Sequence, residues 1–369
     1  VLSIVFRFIA SVVLLTFLPI CLAAPATAEA PAESASVVFL NPGHSNEPFW
    51  VTYSQFMHAA AKNLDVNLHV IYGERKREDI LQSALALANS PHPPDYVIFV
   101  NEMYVGPEIL RIFAETPVKL FSLHSTLTAE QQLLSGGTRE NYKNWIGSLV
   151  ANDEEAGYLM AKALIANLDS KPSNMLAFAG VRSTPSSTLR EEGLYRALKE
   201  HPEIRLQQLV YGEWSRQRAY EQAKLLLKRY ASTPLVWAAN DEMAFGVINA
   251  AQELGKTPGK DIFLSALNNS DEVLHARLEG QIAALVGGHF SLGGWAIVML
   301  HDHHAGLDFA ARGGKDRIDN LFTLLNSQQA ARLRQHLKKP GAEMNFKDFS
   351  AVYHPEMKEY EFTIKALLR

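Results

Sequence analysis

Nine side chains spread along this 369-residue chain carry the chemistry of a site that grips a small polar molecule: Glu47, Phe49, Trp50, His124, Arg190, Trp214, Asn240, Asn268 and His289. Flat aromatic rings pack on the C–H faces of a sugar-like ring, while Asn, Arg and carboxylate groups make paired hydrogen bonds to neighbouring hydroxyls. A buried hydroxyl without a partner costs about 1–3 kcal/mol, so such a set discriminates well among similar polyols. Plainer uses exist for each residue. Phe49 and Trp50, in Asn46-Glu47-Pro48-Phe49-Trp50, could merely close a core. Asp241 beside Asn240 could cap the helix that follows, Arg190 could lie on a helix surface, and Trp214 could be a core residue. Position favours a shared site, because all nine lie in or just after loops that follow short apolar runs.

Those runs alternate with helical stretches. Residues 37–40 precede a stretch at 53–64, 68–72 precede 78–89, 96–100 precede 107–114, and 118–123 come next. A second series begins near Trp145, pairing 175–178 with 189–199, 208–211 with 216–230, 235–238 with 244–254, and 262–267 with 272–278. A late run at 282–286 ends in Gly287-Gly288-His289. Near-continuous apolar runs suit strands covered on both faces. Helical spacing is clear in Ile80, Ala84, Leu85 and Ala88. Strand–helix–strand repetition argues for parallel sheets with right-handed crossovers.

The expected fold class is therefore α/β, with two similar doubly wound parallel-sheet domains. No low-complexity linker separates them, so they should be hinged and share a cleft. Ligands in such sheets bind beyond the carboxyl ends of the strands. The expected boundaries are 37–150 with 289–322 for the first domain, and 151–288 with 323–369 for the second. The extension after about Asn320 carries Phe346, Phe349, Tyr353, Tyr360 and Phe362. It is read as strand and hairpin material packing on the second domain.

Composition removes several function classes. The net charge is −4 and there is no long basic run, so nucleic acid is not an expected partner. Arg7 is the only charge in the first 28 residues, an apolar stretch covers 8–22, and Ala26-Thr27-Ala28 follows. This reads as a signal peptide over 1–28, cleaved near Ala28, with export to the periplasm. The stretch is short for a membrane span. Leu18-Pro19-Ile20 before Cys21 is a poor lipidation box, and Cys21 is the only cysteine. Cleavage would leave no thiol for a nucleophile, a disulfide or a metal site.

No Gly-x-Ser-x-Gly elbow is present, and no Gly-x-Gly-x-x-Gly follows the first strand. Neither an enzyme nor a cofactor is expected. In His301-Asp302-His303-His304 only His301 and His304 share a helical face. Without a Glu-x-x-His context the segment reads as a solvated helix and no metal is expected.

Over residues 37–320 the chain resembles the type I periplasmic solute-binding proteins, whose best-known members bind ribose and other sugars. Phe49 and Trp50 fall where that family has paired aromatics, and Glu47 on the polar position before them. Arg190-Glu191-Glu192-Gly193 is similar to its helix-starting Arg-x-x-Gly, whose Arg holds sugar hydroxyls. Trp214 falls on a stacking aromatic. Asn240-Asp241-Glu242-Met243-Ala244-Phe245-Gly246 resembles Asn-Asp-x-x-Ala-x-Gly, whose Asn touches ligand.

The departures are His124-Ser125 where a ribose binder has Asp-Arg, Asn268 where it has Asp, and the lack of Gln near Gly288. The resemblance thus implies a small polyhydroxylated ligand other than ribose. It also implies two domains joined by a multi-strand hinge, closing so that Phe49, Trp50 and Trp214 sandwich the ligand. Arg190, Asn240, Asn268 and Glu47 would hold its hydroxyls, with His124 and His289 at the same cleft. The closed monomer would be recognised by the membrane permease of an ABC importer, or alternatively by a membrane sensor kinase. An exported hydrolase using Glu47 and a His is the remaining alternative.

Overall fold

The structure, a computed structural model, describes residues 34–168 and 172–368. The expected signal peptide, its cleavage near Ala28 and Cys21 lie outside the described residues.

Among the described residues twelve strands run in chain order: β1 (Ser36–Asn41), β2 (Asn67–Tyr72), β3 (Tyr96–Phe99), β4 (Lys119–His124), β5 (Trp145–Ala151), β6 (Ser173–Ala179), β7 (Ile204–Tyr211), β8 (Leu235–Ala238), β9 (Phe263–Leu267), β10 (Ala284–Gly287), β11 (Asp316–Asp319) and β12 (Thr323–Leu324). The helices between and after them are α1 (Pro48–Asn63), α2 (Arg77–Ala88), α3 (Gly106–Ile112), α4 (Ala129–Ser135), α5 (Asp153–Ile165), α6 (Pro185–Glu200), α7 (Arg216–Arg229), α8 (Asp241–Glu253), α9 (Asp271–Leu278), α10 (Leu292–His304) and α11 (Ser327–His336).

The strands form two six-stranded sheets with the same order, β11-β5-β4-β3-β1-β2 and β12-β10-β9-β8-β6-β7. Each lobe is thus built on one doubly wound sheet. Pairing is parallel throughout, except that β12 runs antiparallel to β10. The inner strands are buried at nearly every position, which is why they read as continuous apolar runs and not as alternating ones. Up to β12 the chain passes between lobes three times: at Asn152 between β5 and α5, at Gly288 after β10, and at 320–322 between β11 and β12.

Three expectations need correcting. The stretch from Trp145 does not open the second series, because Trp145–Ala151 pairs with β4 as an inner strand of the first sheet. The helix bearing His301 is not a solvated one: Leu292 to Leu300 are all buried. Its polar tail is also engaged, with Tyr96 Oη 2.9 Å from His303 Nδ1.

The C-terminal extension differs most. It contains α11, which lies against α9 of the second lobe, and then irregular chain that crosses to the first. Phe346 packs on Phe56 of α1 and Trp295 of α10, with centroids 5.2 and 5.7 Å apart, and Phe362 stacks on Trp295 at 5.1 Å. Asp302 of α10 is fully buried and accepts hydrogen bonds from Ala351 N at 2.6 Å and Tyr360 Oη at 2.8 Å. A buried carboxylate must find donors, and this segment supplies them. The aromatic half of the extension therefore packs on the first lobe, not as a hairpin on the second.

Candidate functional site

At the carboxyl ends of both sheets a narrow cleft lies between the lobes. All nine residues singled out from the sequence line it: Glu47, Phe49, Trp50, His124, Arg190, Trp214, Asn240, Asn268 and His289. Arg75, Glu102, Thr184 and Ser186 complete the lining.

The first-lobe wall is made of rings. Pro48 opens α1, where a missing N–H costs nothing, and sets Phe49 and Trp50 in the first turn. Their ring centroids are 4.9 Å apart, edge to face. Phe49 also stacks on His289 at 4.6 Å, and Trp50 lies 5.1 Å from His124. The Trp50 ring crosses directly over Gly43, where a Cβ would fall 2.0 Å from it. His124 ends β4 with φ of 67°, in the left-handed region.

Burial, helped by the charges of Arg190 and Arg75, pushes His124 down to about 3. Burial likewise drives His289 well below its ordinary value. Both imidazoles are therefore neutral near pH 7, each offering one donor and one acceptor. Among the described residues, the Nδ1 atoms of both histidines and Nε1 of Trp50 have no hydrogen-bond partner.

Beside the rings, Arg75 Nε donates to Glu47 at 3.0 Å and Nη1 to Glu102 at 3.0 Å. Burial opposes the Arg75 charge, but the two carboxylates outweigh it and its pKa ends above the ordinary value. Burial raises that of Glu102.

The second-lobe wall combines groups already tied to the protein with the hydroxyls of Thr184 and Ser186, which have no hydrogen-bond partner among the described residues. Pro185 opens α6 and Arg190 lies in its second turn, only 3% exposed. Arg190 Nε donates to Asp153 at 2.7 Å and Nη1 to the Ala239 carbonyl at 2.9 Å. Its guanidinium carbon sits 5.4 Å from the centroid of the Trp214 ring. Trp214 adopts φ of 60° and crosses over Gly180, where a Cβ would again fall 2.0 Å from the ring.

The helix cap falls to Asn240, whose Oδ1 accepts from Met243 N at 2.9 Å; its Nδ2 donates to the Trp214 carbonyl at 3.4 Å and keeps a second N–H. Asp241 does different work. It accepts from Asn268 Nδ2 at 2.7 Å and from Ser270 Oγ at 2.6 Å, and burial pushes its pKa up to about 6. Asn268 is thereby held with its carbonyl oxygen as the remaining acceptor. One amide donor and one amide acceptor suit adjacent hydroxyls.

Both arginines of the site are ion-paired, Arg75 with Glu47 and Glu102 and Arg190 with Asp153. Among the described residues lining the cavity no unpaired cation is left to hold an anionic ligand, so the cavity favours an uncharged one. Among the described residues no group of three or more His, Cys, Asp or Glu side chains is placed to hold a metal ion.

The four added residues were not singled out from the sequence, although Arg75 left a signal there. Tyr72-Gly73-Glu74-Arg75 and Tyr211-Gly212-Glu213-Trp214 share their first three residues. Each loop has two successive left-handed residues, Glu74 and Arg75 at 49° and 57°, Glu213 and Trp214 at 54° and 60°. Each is pinned by the same bond, Gly73 N to Asn41 O at 2.8 Å and Gly212 N to Ala179 O at 2.9 Å. Arg75 thus holds in the first lobe the place of Trp214 in the second. Glu102 follows the third strand of its lobe, as Asn240 does in the other. Thr184 is the N-cap of α6 and Ser186 lies in its first turn, one turn ahead of Arg190.

Comparison with known proteins places these features in context. The family model for the periplasmic binding protein domain matches residues 147–308. A periplasmic sugar-binding protein from Pseudomonas fluorescens, of known crystal structure, is 47% identical; the match covers 91% of this chain and 100% of that one, with a TM-score of 0.84. The galactofuranose-binding protein YtfQ of Escherichia coli is 22% identical over 230 residues, 61% of this chain and 69% of its own length. The D-allose-binding periplasmic protein of the same species is 23% identical over 216 residues, 58% of this chain and 67% of its own.

Proposed function

The chain belongs to the periplasmic binding protein family, type I, and we propose that it captures a small uncharged sugar or polyol between its lobes for delivery to an ABC importer. The observation that carries this reading is the division of labour across one cavity. Stacked rings with unpartnered ring nitrogens face a wall of amide and guanidinium groups whose geometry the protein already holds. Preorganised donors and acceptors bind hydroxyls without the entropy loss of ordering flexible side chains. Relatives that bind galactofuranose and allose support the ligand class. His124-Ser125 and Asn268, standing where a ribose binder has charged residues, direct the choice away from ribose.

In this reading the nine residues and Arg75 touch ligand, and the protein binds its ligand without transforming it. It works as a monomer in the periplasm after cleavage near Ala28. The domain boundaries are 37–150 with 289–322, and 151–288 with the extension from 323 through α11, while the aromatic half of the extension returns to the first lobe. Closure is favoured by ligand only to the extent that the closed form binds it better. The closed face is then what the membrane permease recognises.

The test is a thermal-shift screen of the purified protein with galactofuranosides, D-allose, D-apiose, D-ribose and myo-inositol, followed by calorimetry. At a hundredfold excess over Kd a bound ligand adds about 2.7 kcal/mol, which shifts the melting temperature by several degrees. A melting temperature unmoved by every member of the panel would overturn the sugar reading.

A further inference from the structure

The cavity does not end at its lining. On one side it meets a larger groove of about 570 Å³, and His124 and Ser186 line both spaces. One side of the groove is formed by Leu127 with Val150 and Ala151 at the end of β5, the other by Pro185 and Leu189 at the start of α6. Leu127 and Ala151 are buried, whereas Leu189 remains 38% exposed. Ser125, which is 3% exposed, lines the groove with a hydroxyl that has no hydrogen-bond partner among the described residues.

We propose that this groove is a second subsite that takes an uncharged, apolar aglycone, so that the protein binds a glycoside and not only a free sugar. The inference rests on the sugar reading above and adds the class of substituent. Three observations select that class. The walls offer aliphatic surface from Leu127, Val150, Ala151, Pro185 and Leu189 among Ser and Thr side chains, and burying a phenyl-sized group there favours binding by on the order of tenfold or more. The only charged side chains lining the groove are the carboxylates Glu130, Glu192 and Asp153, of which Asp153 is held by Arg190. A phosphate or uronate would meet like charge and no cation. Tyr104 at the rim is the only aromatic ring other than His124 in the lining, so a second sugar would lack the stacking faces that the first one finds.

The experiment is calorimetry with matched methyl and phenyl glycosides of galactofuranose, ribofuranose and arabinofuranose, on the wild-type protein and on Ala129→Trp. Ala129 lines the groove and not the ligand cavity, and it is exposed at the first turn of α4. For the sugar that binds as its methyl glycoside, the phenyl glycoside is expected to bind at least tenfold tighter. Ala129→Trp should erase that gain while leaving the methyl glycoside within about twofold. A phenyl glycoside that binds no tighter than the methyl one, or a free sugar that binds when neither glycoside does, overturns the subsite and leaves the sugar reading intact. Failure of every free sugar and glycoside overturns the sugar reading, and the subsite with it.

Discussion

Two loops in equivalent places show how this molecule uses its duplication. Tyr72-Gly73-Glu74-Arg75 and Tyr211-Gly212-Glu213-Trp214 share sequence, left-handed backbone and pinning hydrogen bond, yet one delivers a guanidinium to the cavity and the other an indole. The same contrast runs through the walls. The first lobe presents rings whose nitrogens are unpartnered; in the second, Arg190, Asn240 and Asn268 are already bonded behind the cavity, and only the Thr184 and Ser186 hydroxyls of its lining are unpartnered among the described residues. A repeated scaffold thus decides where a strand-end side chain goes and leaves open which chemistry it brings. Open ring nitrogens adapt to a ligand's hydroxyls, whereas tied amides and Arg190 select a ligand whose hydroxyls already match them.

The contrast between the arginines is the most exposed to test. Arg190→Met would strand Asp153, which is fully buried, and is expected to cost about 3–5 kcal/mol of stability in urea unfolding and to abolish ligand binding. Arg75→Met leaves Glu102 buried but Glu47 partly exposed, and burial already favours the neutral form of Glu102, so the loss should be smaller, about 1–3 kcal/mol. Equal losses would mean that the two walls are not held differently.

A second test uses pH, since the walls titrate in opposite senses. His124 is held at about 3, below its unfolded value of about 6.5. Between these values only the unfolded chain binds the proton, so this group costs stability as pH falls below about 6.5. Asp241 is held at about 6, above its unfolded value of about 3.9. Between those values the folded state binds the proton first, so this group adds stability as pH falls from about 6 towards 4. Each slope is at most about 1.4 kcal/mol per pH unit. Relative to wild type, His124→Gln should raise the stability at pH 5 compared with pH 7, and Asp241→Asn should lower it. Shifts of the same sign in both variants would contradict the assignment.

The smallest expected effect is on the ring that faces the aromatic wall from the other lobe. Trp214→Ala should weaken binding by more than about 1 kcal/mol in calorimetry if the indole stacks on ligand. Unchanged affinity would leave the aromatic grip to Phe49 and Trp50 alone.

Much of this was legible in the residues. Strand and helix positions followed from local periodicity, as at Ile80 and Ala84, which are the buried residues of α2. The ends of those strands then named the nine cavity residues. Arg75 was legible only through the repeated Tyr-Gly-Glu, because an Arg in a loop otherwise resembles any surface Arg. Glu102 had no such marker. The stretch at 145–151 looked like the start of a second series because a strand's sequence does not state which sheet it joins. Likewise, Phe346 and Phe362 announced burial but not against what.

By itself, then, the sequence determined the alternating strands and helices, the strand ends that carry polar and aromatic side chains, and the likeness between its halves. These depend on neighbours a few residues apart, where periodicity and backbone preference act. Only the tertiary structure decided that Arg190 is bound to Asp153, 37 residues away, that Asp241 braces Asn268, and that the C-terminal rings cover α1 and α10. Those pairings depend on which apolar and polar surfaces meet when two sheets and their helices stack. That choice belongs to the whole chain, because hydrophobic attraction has no direction and a buried polar group is satisfied by whichever partner the packing brings within reach.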